Sequence, residues 1–265
     1  MPRSARKDRG RWLVPLASLL VALGLWEAVV RFAGIPHYIL PAPSLVAATL
    51  WTDFGSLLPS WWFTVKVTGL ALLLAVAGGV ALAVLFVLSR TAERALHPFA
   101  VVLQVTPIIA IAPLILIYVS DTLAALLLCA WIVAFFPILA GTLAGLRAAD
   151  ANLRDLFRLH KASRWQTLRL LLLPSALPYF IAGLRVAGGL ALIGAVAAEF
   201  TAGAAGQQTG LASRILEASF RTEIPRMFAA LVLVSATGVA IHFALGALSR
   251  RLLGGWHEAN DKEFP

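Results

Sequence analysis

Residues 67–88 read VTGLALLLAVAGGVALAVLFVL, an uncharged apolar run of about the length, ~20 residues, that a helix needs to cross a hydrocarbon core. The run does not alternate polar and apolar positions, so it does not suit a membrane barrel, whose strands turn one face to lipid and the other to the lumen. In lipid each backbone N–H and C=O must find a partner inside the protein, and a continuous apolar run achieves that as a helix. Comparable runs lie from Trp12 to about Phe32 on one side and at 99–119, 122–146, 179–200 and 227–248 on the other. The sequence therefore predicts an all-α integral membrane protein of about six transmembrane helices. The composition agrees: 60% of the 265 residues are hydrophobic and 13% are charged, against about 25% charged in soluble domains, and mean hydropathy is +0.86.

The basic balance, +9 at pH 7 with a pI near 10.8, could point to nucleic acid. The positive-inside rule, which gathers Lys and Arg on short cytoplasmic segments, explains it better. With the N-terminus cytoplasmic, six spans place 1–11, 89–98, 147–178 and 249–265 inside. These segments hold five, two, six and three basic residues, 16 of the 22. Five others (Arg31, Lys66, Arg214, Arg221 and Arg226) fall on or near the opposite side, and Arg185 falls inside the fifth span. Residues 1–11 and 249–265 thus read as cytoplasmic tails around one membrane domain, 12–248. The apolar part of a secretory signal is usually about 7–15 residues. The first run is longer and carries Glu27, so it reads as an uncleaved span.

Two outer segments exceed simple turns. Residues 34–62 pass through Pro36 and Leu40-Pro41-Ala42-Pro43-Ser44 to Trp51, Trp61 and Trp62, rings suited to the headgroup zone. Residues 201–226 hold Gly203, Gly206, Gln207, Gln208 and Gly210 and a short amphipathic stretch around Leu216. On the inner side, 147–178 is long for a loop without a role. Its centre, Leu153 to Lys161, alternates charge and bulk at helical spacing, with Arg154, Arg158 and Lys161 on one face. Periodicity alone allows a basic helix lying on anionic headgroups as readily as a docking element.

Four polar residues are candidates for a pathway. Gln104 and Thr106 precede Pro107 and Pro113, which would bend span three and free carbonyls toward a cavity. Arg185 can either snorkel to the inner interface or contact an anionic substrate. Glu199 ends a ridge of Gly183, Ala187, Ala191 and Ala195 that suits close helix packing. A carboxylate there is costly unless solvated or paired, so Glu199 sits at the outer mouth or is simply solvated. Glu27 and His242 suit interhelical hydrogen bonds, and Cys129 suits packing. The five histidines are scattered, which gives no metal cluster, and no nucleophile elbow is present.

Asp155-Leu156-Phe157, Lys161-Ala162-Ser163 and Leu173-Pro174 resemble the cytoplasmic "EAA" motif of permease subunits in bacterial ABC importers. That family has an acid, two small residues, a glycine six positions after the acid, and a Leu-Pro pair some twelve further on. Asp155 and Leu173-Pro174 keep the spacing, while Leu156 and Phe157 replace small residues and Lys161 replaces the glycine. Leu40-Pro41-Ala42-Pro43-Ser44, Thr106-Pro107 with Ala112-Pro113-Leu114, Phe135-Phe136-Pro137, Gly183-Leu184-Arg185 and Ala198-Glu199-Phe200 look like the nitrate, sulfonate and taurine branch, which also takes up pyrimidine vitamin precursors.

The resemblance implies a type I ABC importer permease fold and a homodimer enclosing one pathway. It also implies two copies of a separate ATPase and an extracytoplasmic binding protein. Asp155 to Ser163 would couple to the ATPase, and Pro174 and Pro178 would fix the entry into span five. No Gly-x-x-x-x-Gly-Lys-Ser/Thr loop is present, so ATP would belong to the partner, with no cofactor held by this chain. The other readings are an autonomous channel or ion-coupled transporter and, lower, a membrane-embedded enzyme.

Overall fold

The computed structural model describes the backbone of residues 8–203 and 209–260, with side chains from 13 to 253 within those ranges. The basic side chains of the N-terminal tail, Lys262, and Gly206, Gln207 and Gln208 lie outside the described residues. All regular structure among the described residues is helical: α1 (Asp8–Phe32), α2 (Pro43–Leu88), α3 (Arg90–Val105), α4 (Ile108–Tyr118), α5 (Thr122–Arg147), α6 (Ala151–Leu159), α7 (Arg164–Thr167), α8 (Leu173–Ala202), α9 (Leu211–Phe220) and α10 (Ile224–Asn260). A π-helical turn, Leu168–Leu172, joins α7 to α8. The helices α1 and α10 thus run into the stretches expected to be tails.

Among the described residues five helical segments are long and apolar enough to cross a bilayer: Leu13–Phe32, Pro43–Leu88, Thr122–Arg147, Arg164–Ala202 and Ile224–Leu253. The expected third span, 99–119, is instead two helices, α3 and α4, meeting at 105°. Pro107 explains the break. It donates no N–H, and it pushes Thr106 out of the helical region, to φ −73° and ψ 123°. The bent pair still carries the chain across. Leu88 and Arg90 line one cavity with Arg147, so α2 and α5 end on the same side. The 26 residues of α5 rise about 39 Å, which puts its start, and the end of α4, on the other side.

A second departure concerns 34–62. From Pro43 onward this stretch is helix and continuous with span two, 46 residues in all. At 1.5 Å per residue that is about 69 Å, more than twice the ~30 Å core, so the N-terminal part of α2 extends past the bilayer. Its start has no side-chain cap of its own. Glu27 on α1 supplies one, accepting from the Ser44 N–H at 2.9 Å and the Ser44 hydroxyl at 2.7 Å while pairing with Arg31. This is the interhelical bond expected for Glu27. His242, by contrast, is exposed and meets the ring of its neighbour Phe243.

The core lies where α5 packs against α2 and α8, around Phe86, Ile138, Leu139, Leu146, Leu168, Ala187 and Ala191. Close approach depends on missing side chains. A Cβ on Gly145 would stand 2.7 Å from the Ala176 Cα, one on Gly194 2.9 Å from the Ala130 Cα, and one on Gly183 would overlap the Pro137 carbonyl. Ala187, Ala191 and Ala195 are fully buried, so the ridge on α8 is a packing surface. Cys129 is buried in the same interior. Outward, Leu13, Leu16, Leu19, Leu20, Leu73 and Leu74 are exposed, a surface that lipid, not water, would solvate.

Candidate functional site

Between α5 and α8 the chain forms a compact projecting element. Asp150 caps α6, accepting from the Asn152 N–H at 2.6 Å, the usual service of an N-cap carboxylate. The helix lasts nine residues and buries none of them. Two groups on α6 fix it to the membrane domain. Arg154 donates through Nη2 to the carbonyls of Leu146 and Arg147, both at 2.9 Å, satisfying the open C-terminal end of α5. Phe157 packs against the main core. Asp155 pairs with Arg158 at 3.1 Å, and the side chains of Leu153, Leu156 and Leu159 are exposed.

The end of α6 corrects one expectation. Lys161 does not continue the face of Arg154 and Arg158, because the helix stops at Leu159 and Lys161 takes a left-handed backbone, φ 52°. The Lys161 N–H reaches the Arg158 carbonyl and the Ala162 N–H the Phe157 carbonyl, each at 2.9 Å. That is the paired bonding of a Schellman stop, whose left-handed residue is usually glycine. Lys161 therefore stands at a position whose left-handed backbone favours glycine. Ser163 then starts α7 with a reciprocal capping box to Gln166.

Residues 164–202 continue as one rod. Pro174 has no N–H, and its ring crowds the carbonyl four residues back. The preceding turn widens, so that the Leu173 N–H reaches the Leu168 carbonyl. Arg164–Ala202 is consequently a 39-residue unit from the projecting element to the far side of the bilayer, with Pro178 accommodated inside it. Leu173 and Pro174 are exposed at its wide turn.

The four pathway candidates do not converge. Glu199 is 0% exposed, neither solvated nor at a mouth. Its carboxylate accepts from the Thr64 hydroxyl at 2.8 Å and the Ala212 N–H at 3.0 Å, while Thr64 Oγ1 accepts from the Leu211 N–H at 2.9 Å. Helix α9 begins at Gly210 without a side-chain cap, and Glu199 serves as that cap from α8. A side chain on Gly210 would collide with the carboxylate. On α9 itself Glu217 is bound by Arg214 and Arg221, and the Arg214 hydrogen bond holds its carboxyl below the usual carboxylate range.

Arg185 is exposed on α8, fourteen residues and about 21 Å before Glu199, with no ion-pair partner among the described residues. Gln104 is exposed beside the break, and Thr106 turns its hydroxyl back to the Val102 carbonyl at 2.6 Å. An apolar cavity of about 500 Å³ does open beside α8, lined by Ile109, Ile193, Val196, Phe200 and Val234. None of the four candidates lines it. Among the described residues there is no cluster of three metal-binding side chains.

Residues 75–254 match the family model described as "Binding-protein-dependent transport system inner membrane component". The chain belongs to this family. It is similar to a probable ABC transporter permease protein of Haemophilus influenzae, at 32% identity over 92% of this chain and 98% of the relative. It is also similar to the riboflavin transport system permease protein of Chloroflexus aurantiacus, at 34% identity over 95% and 94%. Other relatives are named as formylaminopyrimidine, aliphatic sulfonate, nitrate and taurine permeases. Among solved structures the fold matches the MetNI methionine ABC transporter in an inward-facing form, with a TM-score of 0.64, 19% identity, and coverage of 74% of this chain and 95% of that one. The binding-protein-dependent permease is thus a multi-pass inner-membrane subunit with the type I importer fold, a transport component of an ABC importer for small solutes.

Proposed function

We propose that this permease pairs with a second copy of itself to enclose one pathway, and that α6 with the turn to Ser163 docks on a separate ATPase. Two such ATPases bind the ATP, and this chain holds no cofactor. An extracytoplasmic binding protein delivers a small solute of the nitrate, sulfonate, taurine or pyrimidine-precursor kind. The observation that carries the coupling role is the attachment of α6. It projects with no buried residue, yet Arg154 and Phe157 tie it to α5 and the core, and one rod leads from it through the membrane. A push on such an element moves α8 rather than bending a loop. Asp155, Leu156, Ala162 and Ser163 present the contact, Phe157 and Lys161 shape it, and Leu173 and Pro174 set the junction with the span.

The termini lie in the cytoplasm on this reading, with residues 1–11 and 249–265 as its inner tails and 12–248 as the permease domain. The charge distribution, 16 basic residues inside against five outside, supports that orientation. Gln104, Thr106 and Arg185 remain pathway candidates on exposed or half-buried surface, whereas Glu199 acts by holding α9.

The test is ATP hydrolysis by the cognate ATPase reconstituted in lipid with the wild-type permease or with Leu156→Glu/Leu159→Glu. Both side chains are exposed, so the variant keeps its thermal midpoint. Stimulated hydrolysis and ATPase retention should fall at least ten-fold. A variant that retains the ATPase and couples like wild type would remove α6 from the coupling role.

A further inference from the structure

A second feature lies on the membrane side of the same region. A cavity of about 740 Å³ opens between the end of α2, the start of α3 and the α5–α7 segment. It shares Arg90, Glu93 and Arg147 with a neighbouring cavity of about 640 Å³ that adds Arg94 and His97. The two form one trough in which guanidinium groups dominate. Arg90, Arg94, Arg147, Arg154, Arg158 and Arg164 line it, and Glu93, bonded to Arg147, is its one carboxylate among the described residues. Arg158 is matched by Asp155, but Arg90, Arg94 and Arg164 have no carboxylate partner among the described residues. Several unpaired cations side by side repel one another unless an anion joins them.

We propose that this trough binds the phosphate headgroup of an anionic phospholipid of the cytoplasmic leaflet. Three features favour a lipid over an acidic segment of a protein. The trough lies at the ends of the spans α2 and α5, and on the cytoplasmic orientation proposed above basic pockets between spans suit such headgroups. Its inner wall is apolar, formed by Phe86, Leu88, Leu146 and Leu172. The amphipathic helix α3 turns Arg90, Arg94 and His97 to the trough and leaves Leu96, Phe99 and Val102 exposed on another face, a surface against which acyl chains pack. Of the residues proposed to present the ATPase contact, Ala162 borders the trough, whereas Asp155, Leu156 and Ser163 are not part of the lining. The inference extends beyond the transport reading and does not depend on α6 being the coupling helix.

The experiment follows the thermal midpoint of the full-length chain in neutral detergent, titrated with cardiolipin, phosphatidylglycerol, phosphatidylcholine or inorganic phosphate, with native mass spectrometry to count retained lipid. Cardiolipin and phosphatidylglycerol should raise the midpoint saturably, and phosphatidylcholine and millimolar phosphate should not. Arg90→Gln/Arg94→Gln should increase the half-saturating cardiolipin concentration roughly ten-fold or more. Glu93→Gln, which frees Arg147, should lower it several-fold, and this second variant decides the matter if the double variant folds poorly. An equal response to phosphatidylcholine would reduce the effect to annular lipid, and one to inorganic phosphate would make the trough a soluble-anion site. Unchanged lipid titrations in the variants overturn the proposal, above all if the double variant instead loses its ATPase.

Discussion

At the scale of single residues, Lys161 carries a strain that can be measured. A left-handed backbone costs an L-residue about 1–2 kcal/mol, partly offset by the extra freedom glycine loses on folding, about 0.5–1 kcal/mol. Lys161→Gly should therefore stabilise the stop of α6 by about 0.5–1 kcal/mol. Hydrogen exchange at the Lys161 and Ala162 amides, whose bonds form the stop, should slow a few-fold, and unchanged or faster exchange would contradict the argument. The sequence marks the proposed coupling element where its signals are local. Asp155 and Leu173–Pro174 announce themselves by spacing. The inward turn of Phe157 and the burial of Glu199 were not legible, because their partners are distant in sequence. Thr64 stands 135 positions from Glu199, and nothing near residue 199 records it. The single available signal was the uncapped helix start at Gly210, a helix that needed an acceptor from elsewhere.

At the scale of elements, α8 offers a paired comparison on one helix. A Cβ on Gly183 would strike the Pro137 backbone of α5, whereas one on Gly189 meets nothing within 4 Å. Gly183→Ala should force α5 and α8 apart and cost about 1–3 kcal/mol, seen as a lower thermal midpoint in detergent. Gly189→Ala should be neutral or stabilising by up to about 1 kcal/mol. Equal midpoints for the two would show that the α5–α8 contact is looser than the structure places it. The apolar runs were readable from the sequence because lipid demands continuous helices. The extension of α2 was not, because Pro59 and the tryptophans interrupt the apolar run while the helix continues through them. Pro107 announced a bend, but its size, 105°, depends on how α4 packs against α5 and α8. The wide turn before Pro174 likewise follows from that proline only once the rod on both sides of it exists.

At the scale of the whole molecule, the five continuous helical spans and the one bent pair among the described residues give six crossings, so the two ends of the membrane domain lie on the same side. Which side is a question of charge, and the single cysteine makes it accessible. Cys129 is buried in α5, so new cysteines on exposed positions report alone. Leu159 at the tip of α6 is 80% exposed and Phe220 at the end of α9 is 81% exposed, and the two lie at opposite ends of the rod from Arg164 to Ala202. In intact cells a membrane-impermeant maleimide should label Phe220→Cys and leave Leu159→Cys unlabelled until the membrane is opened. The reverse labelling would place α6 outside the cell, where no ATP is available to drive it. It would end the coupling proposal together with the orientation. The expected labelling ties the basic residues around the trough, the projecting helix and the ATP-bearing compartment to one face of the membrane.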